Sequence, residues 1–308
     1  MPVRVAVILP CRNEESAVAG TIASFRKALP EATIYVFDNA STDRTAEVAA
    51  AAGAVVRREP MPGKGNAVRR MFADVEADIY VMADGDDTYD AAVAPKMIEL
   101  LRAQNLDMVV GRRKGEGDAL YRPGHRFGNR MLTGAVSLLF GDRFSDVLSG
   151  YRAMSRRFVK SFPALATGFE VETELSVHAL ELRMPIAEVE CAYRARPAGS
   201  TSKLKTYRDG FRILWTILIL FKEVRPFEFF GLIASALGLL SVGLATPLVL
   251  TYLETGLVPR FPTAILATGV MLLAFLSLTC GLVLHSLSRA RIETKRMRYL
   301  AVPGAGQA

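Results

Sequence analysis

Two carboxylates, Asp84 and Asp86, close the apolar run Ile79-Tyr80-Val81-Met82-Ala83, with a single glycine between them. A short β-prone run of this kind reads as a buried strand. Open α/β sheets bind ligands at the C-terminal ends of their strands. A carboxylate pair there can hold a divalent cation against a diphosphate. Three more polar loops follow the same logic: Pro10-Cys11-Arg12-Asn13-Glu14, Asp38-Asn39-Ala40-Ser41-Thr42-Asp43 and Gly63-Lys64-Gly65-Asn66-Ala67. Together they offer carboxylates for base and ribose edges, glycine backbone for close approach, a lysine for phosphate and a metal pair. Each loop alone is a weak signal, since Asp-x-Asp is also a common cap and Gly-Lys-Gly a common turn. Their convergence on one rim outlines a nucleotide-diphosphate site.

The elements that must position these loops alternate along the first half of the chain. Strands are expected at Val3–Leu9, Thr33–Phe37, Ile79–Ala83 and Met108–Val110, with helices at Glu15–Ala28, Gly65–Glu76 and Pro95–Asn105. Ser41 or Thr42 is expected to cap an Ala-rich helix that stops at Gly53. The alternation predicts an α/β domain with a mostly parallel sheet covered on both faces. Farther on, Phe127–Phe140 and Phe169–Arg183 are helical in pattern, and Ser149–Met154 and Ile186–Glu190 extended.

The chain has 308 residues, room for one large domain and an appendage, and 51% of them are hydrophobic. No charge occurs from Phe229 to Leu253 or from Phe261 to Leu287. At about 1.5 Å rise per residue, each run can cross a hydrocarbon core of about 30 Å. Before them, Tyr207–Phe221 reads as an amphipathic helix lying in the interface plane. Basic residues crowd the outer flanks: Lys203, Lys205, Arg208, Arg212, Lys222 and Arg225 before the runs, then Arg289, Arg291, Lys295, Arg296 and Arg298 after them. The positive-inside rule therefore predicts a multi-pass protein of the inner or plasma membrane, with the N-terminal domain and the C-terminal tail in the cytoplasm. The expected layout is a catalytic domain over 1–205, an interfacial helix over 206–226, two spans within 227–288 (about 229–253 and 262–287) and a basic tail over 289–308. The net charge of +7 is attributed to anionic headgroups rather than nucleic acid. Val3–Pro10 is too short for a signal peptide, so none is expected. Cys11, Cys191 and Cys280 are scattered, with no metal-like spacing, and point to no disulfide framework. His125, His178 and His285 are isolated, and structural roles are expected for them. The two spans bury little of one another, which leaves a homo-oligomer open.

The four rim loops resemble those of GT-A inverting glycosyltransferases. More narrowly, the chain is similar to polyprenyl-phosphate glycosyltransferases related to dolichol-phosphate mannose synthase and to bacterial undecaprenyl-phosphate glucosyltransferases. Asp146-Val147-Leu148-Ser149-Gly150-Tyr151-Arg152, Gly168-Phe169-Glu170-Val171-Glu172 and Arg196-Pro197-Ala198-Gly199-Ser200-Thr201-Ser202-Lys203-Leu204 support the narrower likeness. It covers residues 3 to about 212, and the paired C-terminal spans match the bacterial members. The resemblance implies a Rossmann-like GT-A domain working in cell-envelope glycan synthesis. It assigns Pro10, Asn13, Glu14 and Asp38 to the nucleoside and Lys64 and Gly65 to the donor. Asp84 and Asp86 become the nucleotide and metal ligands, for Mg²⁺ or Mn²⁺. Glu170 and Glu172 fall near the donor, although carboxylates at a helix N-terminus also complement its dipole. Arg112 corresponds to an arginine that meets the lipid phosphate. Arg126 and Arg130, one helical turn apart, and Arg196 and Lys203, around the 199–202 loop, complete the cationic acceptor side. Dolichol-phosphate mannose synthases often have Gln where this chain has Thr88, so the third metal ligand is open.

The implied reaction moves a sugar with inversion from a nucleotide diphosphate sugar, UDP favoured over GDP, to polyprenyl phosphate. The chain lacks the Glu-Asp base motif of hydroxyl-acceptor enzymes and the Gln-x-x-Arg-Trp of processive ones. Asp146 is the nearest candidate base, with a structural or metal-orienting role as the alternative. A hydroxyl acceptor and a non-catalytic membrane scaffold are the competing readings.

Overall fold

The computed structural model describes residues 3–115, 133–139, 141, 144–194 and 206–304. Its sheet has seven strands: β1 (Val5–Cys11), β2 (Thr33–Asn39), β3 (Val55–Glu59), β4 (Ile79–Met82), β5 (Met108–Gly115), β6 (Arg152–Ser155) and β7 (Ile186–Tyr193). They lie in the order β3-β2-β1-β4-β6-β5-β7. All neighbours are parallel except β6, which runs antiparallel to both β4 and β5. The expected mostly parallel α/β sheet is therefore present.

The helices that cover it are α1 (Val18–Ala28), α2 (Thr45–Ala51), α3 (Lys64–Asp74), α4 (Ala94–Ala103), α6 (Arg156–Ser161) and α7 (Val171–Glu181), with residues 133–139 of a further helix, α5. Val18, Ile22 and Phe25 of α1 recur at helical spacing and are buried. Burying each contributes about 1.5–3 kcal/mol. β1 and β4 are buried almost throughout, as continuous apolar strands of a covered sheet must be. β3 received no assignment from sequence, because Arg57 and Arg58 interrupt its pattern. It is an edge strand, and those arginines are exposed there, where charge guards unpaired backbone against strand addition. The predicted cap of α2 is corrected. Neither Ser41 nor Thr42 caps it; the Asp43 carboxylate instead accepts from Thr45 N at 3.0 Å, and Ser41 and Thr42 are engaged by Asn13.

Strand register decides what meets at the rim. Cys11 pairs with Asp38, and Ile8 with Met82, so β1, β2 and β4 run parallel and their following loops leave the sheet on one rim. Met82 is opposite Arg152, and Arg152 opposite Val110. Asp84, Gly150 and Arg112 thus stand at one height, two residues beyond that row.

The remaining helices are α8 (Thr206–Val224), α9 (Pro226–Thr255) and α10 (Phe261–Leu300). Ile213, Ile217 and Phe221 of α8 are buried, whereas Phe211, Trp215 and Leu218 form an exposed apolar stripe at spacings of four and three. α9 and α10 are long and apolar enough to cross a membrane, with mean hydropathies of 2.0 and 2.2 over their best windows. Contacts divide the chain into a unit of residues 1–217 with 294–308 and a second unit of 218–293. Within the second, Ser241 donates to Ala267 O at 2.7 Å and Ser277 to Phe230 O at 3.2 Å. Thr246, Thr251 and Thr268 return to carbonyls four residues back. Hydroxyls are thereby satisfied without water, as a hydrocarbon environment requires.

Candidate active site

The first two rim loops are laced together. Asn13 N donates to Ser41 Oγ at 2.9 Å, and its side-chain oxygen accepts from Thr42 N at 2.8 Å. Glu14 N donates to Thr45 Oγ1 at 2.8 Å, and Asp38 accepts from Ser41 N. Pro10 lies in the penultimate position of β1, level with Phe37. Asn13, Ala40 and Asp87, one in each of three rim loops, adopt left-handed backbone with φ of 52°, 53° and 57°. Asn and Asp tolerate this region, but at Ala40 it costs on the order of 1 kcal/mol. Such strain collects at functional sites.

Asn39, the last residue of β2, shapes the third loop. Its amide donates to Met61 O at 2.6 Å and accepts from Gly63 N at 2.7 Å. This aims α3 so that Lys64, its first residue, reaches inward. Lys64 Nζ bonds Asp84 and also lies 2.5 Å from Glu172 Oε1. The two carboxylates outweigh the burial of the ammonium and hold its pKa well above the ordinary lysine value. Burial pushes the pKa of the Glu172 carboxyl upward as well, against the pull of Lys64, and its Oε2 has no hydrogen-bond partner among the described residues. A Cβ at Gly150 would lie 3.0 Å from both Asp84 Oδ2 and Lys64 Nζ, so a side chain there would press on both charged groups.

The three glutamates of the 170–174 segment divide their work. Glu172 faces Lys64. Glu170 accepts from Thr167 N and Gly168 N, and Glu174 from Leu165 N and Ala166 N. Those two carboxylates thus shape the 164–168 loop. Gly65 packs beneath it: a Cβ there would stand 2.2 Å from Ala166 O. Arg152, fully buried, donates to Val147 O, Ser149 O, Glu172 O and Ser176 Oγ, which ties the 147–149 turn to α7. Burial lowers its pKa to about 10, so it still carries its charge near neutrality. From sequence, Arg152 has only its place in the 146–152 motif, and Glu174 stands with Glu170 and Glu172 at a spacing of two that cannot put all three on one helical face.

Asp86 is buried, and Thr88 Oγ1 donates to its Oδ1 at 2.6 Å. Where a third ligand was in question, Thr88 instead orients the second carboxylate. Among the described residues no three His, Cys, Asp or Glu side chains converge as a ligand set. The donor set still suits a hard cation. Two carboxylates stand one residue apart at the rim, and Asp84, 29% exposed in its side chain, already attracts a positive charge in Lys64.

The two arginines of β5 point to opposite faces, as strand alternation demands. Arg112 pairs with Glu190, and both are exposed. Arg113 runs along the rim side. Its guanidinium lies 5.6 Å over the Tyr193 ring and makes two bonds to Asp146, of 2.8 and 2.7 Å. Tyr193 packs on Tyr89, whose hydroxyl accepts from Gly150 N at 3.0 Å. The Tyr193 hydroxyl is pushed up by burial and then by Asp86 and Asp84, which ties this cluster to the carboxylate pair. Arg113 was not selected from sequence, where its neighbour was. Arg126, Arg130, Arg196 and Lys203 lie outside the described residues.

A mostly parallel seven-stranded sheet with such loops on one rim is the architecture of GT-A transferases. Residues 6–162 match glycosyl transferase family 2. Glycosyltransferase AglJ of Haloferax volcanii is 35% identical over 250 residues, covering 79% of this chain and 80% of AglJ. The dolichyl-phosphate hexose transferase of the same organism is 31% identical over 210 residues, 68% of this chain and 90% of that protein. The solved glucosyl-3-phosphoglycerate synthase of Mycobacterium tuberculosis, in complex with Mn²⁺ and UDP-glucose, superposes with a TM-score of 0.58 at 26% identity, over 71% of this chain and 79% of that one. The chain belongs to glycosyl transferase family 2, and it is a glycosyltransferase.

Proposed function

We propose that this enzyme transfers a sugar with inversion from a nucleotide diphosphate sugar, UDP-linked by preference, to a polyprenyl phosphate in the membrane. The observation that carries this reading is the state of Asp146. The nearest candidate base is buried and held by both guanidinium bonds of Arg113. A carboxylate so engaged is a poor proton acceptor, and a phosphate acceptor needs none. With a second pKa of about 6, a phosphate monoester is substantially dianionic at neutral pH. One of its oxygens attacks the anomeric carbon, the bond to the diphosphate breaks, and the nucleoside diphosphate leaves. The complex of Mn²⁺ and UDP-glucose in the mycobacterial structure supports the donor class, and the name of the archaeal hexose transferase supports the lipid phosphate.

Asp84 and Asp86 would hold Mg²⁺ or Mn²⁺, which supplies positive charge against the departing diphosphate. Thr88 keeps Asp86 in its rotamer. Lys64 neutralises Asp84 and Glu172 and stands ready to meet donor phosphate. Pro10, Asn13, Glu14 and Asp38 frame the nucleoside, Gly65 the close backbone approach, and Glu170 the loop above it. On the acceptor side Arg113, beside Asp146 and over the Tyr193 ring, is assigned to the lipid phosphate, and Arg112 stands at the same height on the other face. Arg126, Arg130, Arg196 and Lys203 are further phosphate partners proposed from sequence. α9 and α10 would span the membrane, with the sheet domain on the cytoplasmic side and the Phe211, Trp215 and Leu218 stripe at the interface.

The test is the purified full chain in phospholipid vesicles with Mn²⁺ and UDP-glucose, UDP-galactose or GDP-mannose. Nucleoside diphosphate release that depends on added undecaprenyl phosphate is expected with one of them. Release indifferent to that lipid for every donor contradicts the reading.

A further inference from the structure

The end of α10 returns to the sheet domain, at the rim opposite the carboxylates. Asp107, just before β5, is a buried carboxylate with two hydroxyl donors. Ser155 supplies one at 2.7 Å, and Tyr299 supplies the other at 2.8 Å. Arg157 lies over the Tyr299 ring at 5.7 Å and donates through Nε to Val302 O at 3.0 Å. Lys295 pairs with Glu181, the last residue of α7, at 2.6 Å. Lys295, Tyr299 and Val302 recur at spacings of four and three, so one face of the segment makes every contact. Arg296 and Arg298, on the other faces, are exposed. A basic membrane-surface tail has no need of such a stripe, and a buried carboxylate has every need of its donors.

Helix α7 joins this contact to the cleft. Lys295 holds its C-terminal end, Glu172 near its N-terminal end meets Lys64, and Glu174 ties the 164–168 loop that covers Gly65. The charge of Lys295 is felt by both Glu174 and His178. We propose that Thr294–Val302 is a positioning strap: docked on Asp107 and Glu181, it fixes α7 so that Glu172 keeps its place on Lys64 and the 164–168 loop its place over Gly65. The proposal does not depend on the identity of donor or acceptor.

Hydrogen exchange on the full chain in detergent micelles tests it. In the native protein the amides of 294–302 are expected to be protected along with α7. In Lys295→Ala/Tyr299→Ala, exchange at Leu165, Ala166, Thr167 and Gly168 should rise on the order of tenfold, with the Asn13 and Ser41 loops unchanged. Lys295→Arg should keep native protection at the same four amides. Unprotected 294–302 amides in the native protein overturn the proposal, and need no variant to fold. Two results with the variants also overturn it: release of the strap with no change at 165–168, or a rise spread evenly over the sheet domain.

Discussion

The sheet domain and the α9–α10 pair treat polar groups in opposite ways. Around the cleft, ionised groups are buried and matched against one another: Lys64 with Asp84 and Glu172, Arg113 with Asp146, Arg152 with a ring of carbonyls. From Phe229 to Leu253 of α9 and from Phe261 to Leu287 of α10 no charge is present, most large apolar side chains are exposed, and hydroxyls close on nearby carbonyls. A buried ion tolerates little rearrangement, since removing one partner of such a pair costs about 3–5 kcal/mol. It can nevertheless exchange that partner for a charged ligand. The uncharged runs of the helix pair have no comparable switch; in the proposed function they anchor the protein in the membrane. Chemistry and anchorage are thus divided along the chain by where charge is buried.

The sharpest break in this contrast is at the cleft. Asp86→Ala should lower transfer on the order of 10³-fold, measured with radiolabelled donor, while the unfolding transition stays within a few degrees. If transfer persists, the chemistry does not run through the carboxylate pair. Next comes the arginine pair. Arg113→Ala should lower transfer about 10²-fold, against less than about threefold for Arg112→Ala, whose exposed ion pair contributes little. The reverse order would move the acceptor phosphate to the other face of β5.

The arginines also mark how far sequence could reach. The rim loops were legible because their chemistry is local: three of the four follow a strand signal, and all carry their own polar residues. Which of Arg112 and Arg113 faces the cleft depends on strand register, and one residue of slip reverses every side chain. Glu170, Glu172 and Glu174 could be recognised as unable to share a face. That two of them would bind the 164–168 backbone depends on a loop path no local pattern encodes. β3 was hidden by its edge charges, and the strap by the apolar signal of the helix that carries it.

A gentler probe is pH. Burial among Phe158 and Phe162 holds His178 down to about 3, with Ser161 Oγ at 3.1 Å from its Nε2. The unfolded chain takes up a proton near pH 6.5 that the folded one refuses. Stability from this site is therefore complete above about pH 6.5 and is lost as pH falls toward 3, by at most about 1.4 kcal/mol per unit. Thermal melts of His178→Gln between pH 7 and 5 should show a slope shallower by up to one proton; an unchanged slope would show that the site contributes none of it. The smallest effect is expected in the helix pair. Ser241→Ala removes the bond to Ala267 O and should cost about 0.6 kcal/mol in a detergent unfolding titration, with transfer unchanged. A loss of transfer there would contradict the division of anchorage from chemistry.

The central claim is that the acceptor is a phosphate and that no protein base is required. Paired assays with undecaprenyl phosphate and undecaprenol, at equal density in identical vesicles and with one radiolabelled donor, test it most directly. The account predicts an acid-labile lipid-linked monosaccharide from the phosphate and none from the alcohol. Equal or greater transfer to the alcohol would contradict it.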